Sequence, residues 1–574
     1  MKKFMTYWVI FTIGGWGFLF SQDELGVGKL PFDWSGHWGI YHRFGYPGWG
    51  QDLTDGPLFL DGTFVFWPAR YSFPFTQDFQ INEDSNSETN IWYRRGDYAL
   101  DDFALDMKFK RSKDQFIRFQ GVKRNFEGEG AFFGPMNNPG GAIQQNYKLT
   151  YNLKNDDETG WELVLAYFKT SHSIPAVVFG QGVFPNEPWE KSVSQSDKVV
   201  TMGVARSYHR GNFHGMTSFG LFSQRLKLIP NSGLPNWKGD IVSYWLTHEG
   251  QLPLSSSIDL TTQFSTKQSY LDSDNLGYQF NREGTLTMGF TNQTEDGSSQ
   301  SQLGLGFVGN EWKLVGSGKL SGSNRFFTMF IDLNHEFVNL PNQMSGARFL
   351  SDRINLYPDS KATSQIQTRV HTGISKMWKK GLTTIGVFQS TTSPHYYFQY
   401  VSSIDLVTVN KSTVQGGLAK FRWNYFRNWW LSAEGLSFFQ SEKGWGHGFR
   451  HEGEISLSFQ EDLFKGRLDA QVRLWADVWL GRDASFVWDP FIFIGYYKTQ
   501  DNNLPPDQRV LNLEIRGIIS SRFEISYTML NVLKIVEMWS GRKIGKGETE
   551  FTASPLFPEL GRLAYLTFRW DLSD

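Results

Sequence analysis

The sequence predicts an all-β protein: a large closed antiparallel transmembrane β-barrel of about 22 strands, within a range of roughly 18 to 24. Three observations lead to this prediction. The N-terminus has the layout of an export signal, apolar and polar residues alternate in segments of about ten residues, and 16% of all residues are aromatic. A closed sheet is the all-β architecture that leaves no backbone group unpaired in a bilayer.

The N-terminus predicts a cleaved secretory signal peptide over residues 1–21. Lys2 and Lys3 give a positive start, residues 4–20 (FMTYWVIFTIGGWGFLF) carry no charge, and the small Ser21 precedes a polar stretch. An uncleaved membrane anchor is the alternative, because the apolar stretch is slightly long for a signal and just short of a comfortable span. The chain has no cysteine, which excludes the usual bacterial lipid modification, disulfides and thiolate zinc sites. The expected destination is a Gram-negative-type outer membrane.

Composition gives no electrostatic reason for nucleic-acid binding and favours a membrane barrel. The chain has 56 basic and 58 acidic residues, and without Lys2 and Lys3 the balance is 54 − 58 = −4, whereas nucleic-acid binding needs a clustered basic surface. Its 22 Trp, 22 Tyr and 50 Phe suit a barrel that displays rings in girdles at the two water–lipid interfaces. The mean hydropathy of −0.39 agrees with strands of which every second residue faces a wet interior.

Alternation with a period of two recurs along the chain and predicts strands. Residues 145–154 (QNYKLTYNLK) place Tyr147 and Leu149 on one face and Lys148 and Thr150 on the other. Strands of about ten residues exceed the globular norm and match the length that crosses a hydrocarbon core when tilted. The same pattern occurs in residues 101–110, 453–460, 467–480 and 523–529. The apolar residues expected to face lipid include Leu149, Leu457, Val472, Ile525 and Phe568.

The alternating runs begin at Asp101, so residues 101–574 are predicted to form the barrel. Residues 22–100 are rich in Gly, Pro and aromatics, and are expected to add early strands, cover the periplasmic mouth or fill the lumen. A soluble sandwich or propeller is the alternative, which strands of this length disfavour. Short separators alternate with long ones, as periplasmic turns alternate with extracellular loops. The tight separators are 309–310, 380–381 and 427–428, and the long ones include 125–141, 179–197 and 340–362.

The end of the chain resembles the last two barrel strands of TonB-dependent receptors. The shared elements are Asn531 after an alternating strand, the turn at residues 558–562 (PELGR), and a final aromatic strand over residues 563–572. The resemblance covers about 50 residues, and implies a barrel of that kind whose last strand is read by the outer-membrane barrel assembly machinery. Two departures matter: the chain ends on Ser573-Asp574 and not on an aromatic, and residues 22–100 are too short for a normal plug and have no TonB-box-like start. The resemblance therefore implies a relative that is apparently without a plug domain, and it does not imply the energised, plug-gated uptake of TonB-dependent receptors.

No arrangement of residues predicts an enzyme, a metal site or a cofactor. The sequence contains no GxSxG elbow, phosphate-binding loop or dinucleotide fingerprint. His447 and His451, beside Glu452, have the spacing of half a metal site, but a Gly-rich turn entering a strand does not give helical geometry. They are interpreted as loop histidines, and His209 and His214 as polar residues flanking a tight turn.

The polar face of the strands supplies the candidate functional residues. Charges of both signs on facing walls would make a polar passage with a transverse field, or would pair across adjacent strands and stabilise the wall, and the two are compatible. The candidate lumen-lining residues are Lys108, Lys110, Arg118, Lys148, Lys420, Arg422, Glu454, Asp469, Arg473, Glu514, Arg516, Glu524 and Arg569.

Three function classes follow. The first is porin-like or receptor-like passage of small polar solutes across the outer membrane. The second is an exported protein that binds carbohydrate or another surface ligand in its loops, with Trp49, Trp189 and Trp445 as platforms. The third is an outer-membrane enzyme. The expected partners are outer-membrane lipid, the barrel assembly machinery and a small polar solute or ligand.

Overall fold

A computed structural model describes the chain from Ser87 onward, with gaps. The described residues are 87–97, 101–112, 114–126, 142–154, 159–174, 193–230, 237–273, 277–294, 297–324, 326–339, 354–355, 364–400, 404–440, 450–481, 483, 485–489, 494–498, 507–520, 522–541 and 563–573. The predicted signal peptide and the rest of the chain up to residue 86 lie outside them.

Strands of the described chain form two sheets, and one described segment is helical. The large sheet contains β1 (Ser87–Gly96), β2 (Asp101–Ser112), β3 (Gln115–Phe126), β4 (Ala142–Lys154), β5 (Gly160–Ile174), β6 (Val193–Arg210), β7 (Phe213–Pro230), β8 (Trp237–Pro253), β9 (Ile258–Ser273), β10 (Gly277–Thr294), β11 (Gly297–Val308), β12 (Glu311–Ser323), β13 (Thr328–Asn339), β15 (Ser364–Trp378), β16 (Gly381–Ser393), β19 (Ser412–Phe426), β20 (Trp429–Gln440), β21 (His451–Leu463), β22 (Leu468–Leu480), β25 (Gln508–Ile519), β26 (Phe523–Leu530) and β27 (Leu563–Ser573). The small sheet contains β14 (Ile354–Asn355), β17 (His395–Tyr400), β18 (Ile404–Val409), β23 (Phe486–Asp489) and β24 (Ile494–Lys498), and the helix is α1 (Val532–Ser540).

The large sheet is a closed antiparallel barrel of 22 strands. Each strand pairs with the next one along the sheet, and β1 closes the ring by pairing with β27, with Ile91 opposite Trp570. Closure removes the two edges that an open sheet would expose to lipid. The predicted fold class and strand number are confirmed.

The connections differ between the two ends of the barrel. At the short-turn end every connection has two to five residues, whereas at the loop end the connections reach 32 residues, over 531–562. The chain enters β1 and leaves β27 at the short-turn end. The predicted tight turn at 427–428 lies at this end, a second lies at 379–380, and the turn at 309–310 lies at the loop end. This asymmetry is typical of outer-membrane barrels.

The two faces of the wall follow the alternation in the sequence. Leu149, Val472 and Ile525 are 40%, 39% and 36% exposed on the outer face. Their chain neighbours Lys148 and Gln471 are 4% and 7% exposed on the inner face. Successive side chains of a strand point to opposite faces, so the apolar band surrounds the barrel from outside, where it was predicted.

Aromatic rings lie on both faces of the wall. Near the short-turn end, Trp429 and Phe459 on the outer face have ring centroids 5.0 Å apart, and Phe523 and Trp570 have centroids 5.3 Å apart. These pairs fit one of the expected interfacial girdles. Other rings are buried on the inner face, among them Trp245, so the outward display expected from composition accounts for only part of the aromatic residues.

Two local features differ from the sequence prediction. The barrel begins at Ser87 and not at Asp101, so residues 87–96, inside the segment expected to hold early strands, do form a barrel strand. The all-β prediction also did not include a helix, whereas Asn531, directly after β26, adopts a left-handed φ of 55° and α1 follows it. Among the described residues, no helix is long and apolar enough to span a membrane.

Candidate functional site

The inner face near the closure carries cations that pair with carboxylates of neighbouring strands. Lys108 of β2 places its Nζ 2.9 Å from Oε2 of Glu88 on β1. Arg118 of β3 donates to both carboxylate oxygens of Asp106 on β2, at 2.9 and 2.7 Å. Because two N–H groups meet two oxygens, the second pair has the geometry that fixes an arginine most firmly.

A second group of pairs extends along β21, β22, β25, β26 and β27. Arg473 Nη2 lies 2.5 Å from Glu454 Oε1. Arg516 Nη2 lies 2.9 Å from Glu524 Oε2, and Arg569 Nη1 lies 3.9 Å from the same oxygen. The side chains of Arg516 and Glu524 are only 8% and 9% exposed, so each needs the other to compensate for its lost hydration.

The other predicted lumen-lining residues share this inner face with the pairs. Lys110 alternates with the exposed Phe109, and Lys148 is buried. Lys420 places its Nζ 3.5 Å from Glu434 Oε2, and the Arg422 guanidinium lies 4.7 Å from the ring centroid of Trp430. Asp469 accepts a hydrogen bond from Gln460 at 2.9 Å, and Glu514 accepts one from Thr528 at 3.1 Å. The geometry supports pairing across adjacent strands, one of the two interpretations left open by the sequence.

The closing seam between β1 and β27 adds two cation–aromatic contacts. The Arg94 guanidinium lies 4.8 Å from the ring centroid of Tyr565, and that of Arg569 lies 5.3 Å from the ring centroid of Trp92. A guanidinium over an aromatic face is attracted by the ring quadrupole. The seam is therefore fastened by side chains in addition to its backbone ladder.

A buried chain of polar groups anchors α1 at the loop end of the barrel. Asn512 Nδ2 donates to Asp477 Oδ2 at 2.8 Å, and the backbone N–H of Asn531 donates to Asn512 Oδ1 at 3.0 Å. Asparagine tolerates the left-handed conformation better than most residues, which suits Asn531 to the strand–helix junction. Beyond it, α1 presents Trp539 with 84% of its surface exposed.

Part of the inner face is apolar. Phe388, Val414, Leu436 and Phe438 form a buried cluster on β16, β19 and β20, and the rings of Phe388 and Phe438 meet edge to face at 6.0 Å. Gly416 of β19 stands opposite Phe388 of β16, and a Cβ at this position would overlap the Phe388 ring. The expectation of a uniformly wet inner face is therefore wrong for this region of the described wall.

Three loop-end connections are joined by the small sheet. Its strands β17 and β18 form a hairpin between β16 and β19. Parallel pairing adds β14 on one side, from the connection before β15, and β24 on the other, from the connection before β25. β23 completes the sheet by pairing with β24, in which Tyr497 is 2% exposed. We call these five strands the loop sheet.

The other candidate residues fall apart in the structure or lie outside it. His451 begins β21 and contacts Ser437 Oγ through Nδ1 at 2.7 Å, while His447 lies outside the described residues. His209 and His214 are strand residues, and their rings stack at 4.4 Å beside the turn between β6 and β7. The described residues contain no group of three or more side chains able to hold a metal ion. Trp49, Trp189 and Trp445 all fall outside the described chain.

Sequence reasoning missed the acidic partners of several cations. Glu88 and Asp106 were not among the candidates, although each pairs with one that was. Glu88 precedes the predicted barrel start, and Asp106 belongs to an alternating run whose lysines were selected instead. Strand register would have been needed to find them, because opposite residues on adjacent strands share a face.

The fold is similar to that of several solved outer-membrane proteins. No protein-family model matches the chain, and no curated protein matches its sequence. The barrel is similar to a variant of the ferric enterobactin receptor from Pseudomonas aeruginosa, at 11% identity and a TM-score of 0.62, covering 85% of this chain and 81% of that one. The copper transporter OprC matches at 12% identity and a TM-score of 0.64, with coverages of 87% and 82%.

A third similar structure is the FrpB iron transporter from Neisseria meningitidis, at 8% identity and a TM-score of 0.64, with coverages of 85% and 83%. The predicted lack of a plug concerns residues 22–86, which lie outside the described chain. Identities this low establish the fold alone. The described chain is thus a closed 22-stranded antiparallel barrel with the architecture of outer-membrane receptor barrels, as the resemblance of its last strands to TonB-dependent receptors predicted.

Proposed function

We propose that this protein lies in an outer membrane and lets small polar solutes cross it. The observation that carries the proposal is the contrast between the two faces of the closed wall. The outer face exposes apolar residues such as Leu149 and Val472, whereas the inner face holds ion pairs such as Arg516–Glu524. A barrel of this strand number is too wide to be filled by its own side chains.

The similar structures support this proposal. Their names describe receptors for ferric enterobactin and transporters of copper and iron. A cleaved signal at residues 1–21 and insertion by the barrel assembly machinery belong to the same proposal. An enzymatic role is not part of this proposal.

Conductance in a planar bilayer tests the proposal. Two forms are compared: the full chain, and a form that lacks residues 22–86 and so keeps β1. Deletion through Leu100 would remove β1 and open the seam with β27. Conductance by either form, or release of trapped sugars from liposomes, is the expected result. Failure of both forms in both assays, with folding verified by heat-modifiable migration, would refute solute passage.

Ion selectivity checks that the current crosses the described inner face. Replacing Glu434 and Glu454 by Gln removes two negative charges from the inner face, one that pairs with Lys420 and one that pairs with Arg473. The reversal potential in a salt gradient should then move towards anion preference. The matched control is Asp272→Asn on the exposed outer face of β9, which should leave the reversal potential unchanged. Identical shifts in both variants would show that the current does not follow the inner wall.

The loop sheet supports a second candidate function, capture of a surface ligand. Backbone pairing among three loop connections preorganises them, and preorganisation lowers the entropic cost of binding. Saturable binding of a solute by a protein that never conducts would favour this second function.

A further inference from the structure

A row of basic side chains crosses the outer face of the barrel near its loop end. Lys169 of β5, Lys198 of β6 and Arg225 of β7 stand directly opposite one another in the strand register. Lys198 and Arg225 are exposed, and each shares its face with the lipid-facing residues of its strand, as Val200 shows two residues after Lys198. We call these three residues the basic row.

Neighbouring cations enlarge the basic row into a patch. The basic patch consists of Lys123, Lys169, Lys198, Arg225, Lys227 and Lys238, all on the outer face of β3, β5, β6, β7 and β8. The acids near it on this face of the described chain are Asp240, within the patch, Asp272, opposite Asp240 at the border, and Asp101, which stands opposite Arg95 and diagonal to Lys123.

The carboxylate of Asp240 is already shared by two cations. Arg225 Nε donates to its Oδ1 at 2.7 Å, and Lys238 Nζ lies 2.7 Å from its Oδ2. Within the described chain, Lys169, Lys198 and Lys227 form no ion pair. The patch therefore carries an excess of positive charge that the described wall does not neutralise.

Direct opposition of like charges makes the basic row unfavourable by itself. Adjacent strands are about 4.8 Å apart, and like charges directly opposite on a sheet destabilise the pairing. An anion that contacts two or three members of the row would reverse the sign of this interaction. A negatively charged partner would therefore stabilise Lys169 and Lys198, which, unlike Arg225, pair with no carboxylate of the described chain.

The height of the basic row indicates where that partner lies. Two residues closer to the short-turn end, the outer face carries Tyr167 on β5 and Val200 on β6, and Tyr147 on the adjacent strand β4. Another two residues on, Leu149 and Leu165 are exposed in the apolar band. Tyrosines concentrate where hydrocarbon meets headgroups, so the basic row lies one step outward, at headgroup level.

We infer that the basic patch binds a lipid with a phosphate-bearing headgroup, in the leaflet on the loop side of the membrane. Lys169, Lys198 and Lys227 provide charge to the phosphates, and the apolar band beneath them contacts the acyl chains. The inference rests on the proposed membrane placement but not on solute passage. Composition could not reveal it, because five strands contribute the cations and the whole chain has a net charge of −2.

Equilibrium binding to the purified full chain in detergent tests the inference, with diphosphorylated lipid A as the probe. The variant K169Q/K198Q/K227Q removes three charges and leaves both partners of Asp240 in place. Each positive charge lost near a membrane surface weakens binding about fivefold, so binding should weaken roughly 100-fold. The matched control R111Q/R210Q/K380Q removes three exposed charges at the short-turn end and should bind like the unmodified protein. Heat-modifiable migration verifies that every variant is folded.

Three results would overturn the inference. They are equal affinity of the patch variant and the unmodified protein, an equal loss in the control, and displacement of the lipid by excess inorganic phosphate. The last would mean that the patch recognises phosphate and not a lipid. If the unmodified protein binds lipid A through the patch but does not conduct, only the proposed solute passage is contradicted.

A single substitution tests the repulsion directly. Lys198→Glu turns the basic row into alternating charges, so it should raise the unfolding temperature in detergent free of phosphorylated lipid. Adding lipid A should then stabilise the unmodified protein but not this variant. An unchanged or lower unfolding temperature in lipid-free detergent would contradict the repulsion on which the inference depends.

Discussion

Replacing Leu303 by Arg provides the sharpest test of the proposed membrane placement. Leu303 lies midway along β11, is 61% exposed, and stands between Met288 of β10 and Gly316 of β12. No described acid lies near it on the outer face, since the surrounding residues are Leu, Met, Phe, Ser and Gly. A guanidinium at the bilayer midplane should therefore cost the full penalty of about 2–4 kcal/mol. Equilibrium unfolding in urea, with the protein in lipid vesicles, measures this loss.

The preceding residue is the matched control. Gln302 lies on the inner face of the same strand, opposite Gly289 and Ser317. Arginine there keeps its charge among polar side chains, so Gln302→Arg should change the free energy of unfolding by less than about 1 kcal/mol. If the two variants lose equal stability, the assignment of faces is wrong. If neither variant loses stability, the outer face does not contact hydrocarbon at this position.

Three further predictions follow from the register. Val472 stands opposite Phe459 in the aromatic girdle, so Val472→Arg should cost only about 0–1 kcal/mol in the same urea experiment, and a loss as large as that of Leu303→Arg would contradict this depth. A chain truncated before β27 leaves one edge of β26 and one edge of β1 unpaired, so it should show no heat-modifiable species. Normal migration would exclude closure by β27. Glu524→Gln removes the carboxylate that pairs with the buried Arg516 and should cost about 3–5 kcal/mol. The control Glu311→Gln alters the more exposed Glu311–Lys313 pair and should cost less than about 1 kcal/mol; equal costs would show that the burial of the first pair is irrelevant.

The faces of the wall could be predicted from the sequence because a strand repeats every two residues. Once residues 145–154 are read as a strand, Leu149 and Lys148 must point to opposite sides. The same argument located β27 and the candidate inner-face charges. Strand number followed from counting such runs, and it needed no knowledge of which strands pair.

Features that depend on pairing between strands could not be predicted. The partners of Lys108 and Arg118 were found only when the register placed Glu88 and Asp106 beside them. The basic row cannot be recognised in the sequence because Lys169, Lys198 and Arg225 lie on three different strands. The loop sheet joins three connections far apart in sequence, and no local pattern specifies such pairing. The helix α1 was missed because nine residues leave little periodicity to detect.

Because charges on the inner face are paired, we expect the wall to favour polar solutes without favouring either sign of charge. Arg118 and Asp106, like Arg473 and Glu454, are held within hydrogen-bonding distance, and the field of such a pair falls off faster than that of a single charge. If solutes cross the lumen as proposed, they should meet hydrogen-bond donors and acceptors fixed to the wall and little net attraction for either sign of charge. Such a surface suits polar solutes that carry many hydrogen-bonding groups. Preference for one sign of charge would have to come from groups other than these pairs, and the loop end, where connections reach 32 residues, has the most chain to supply them.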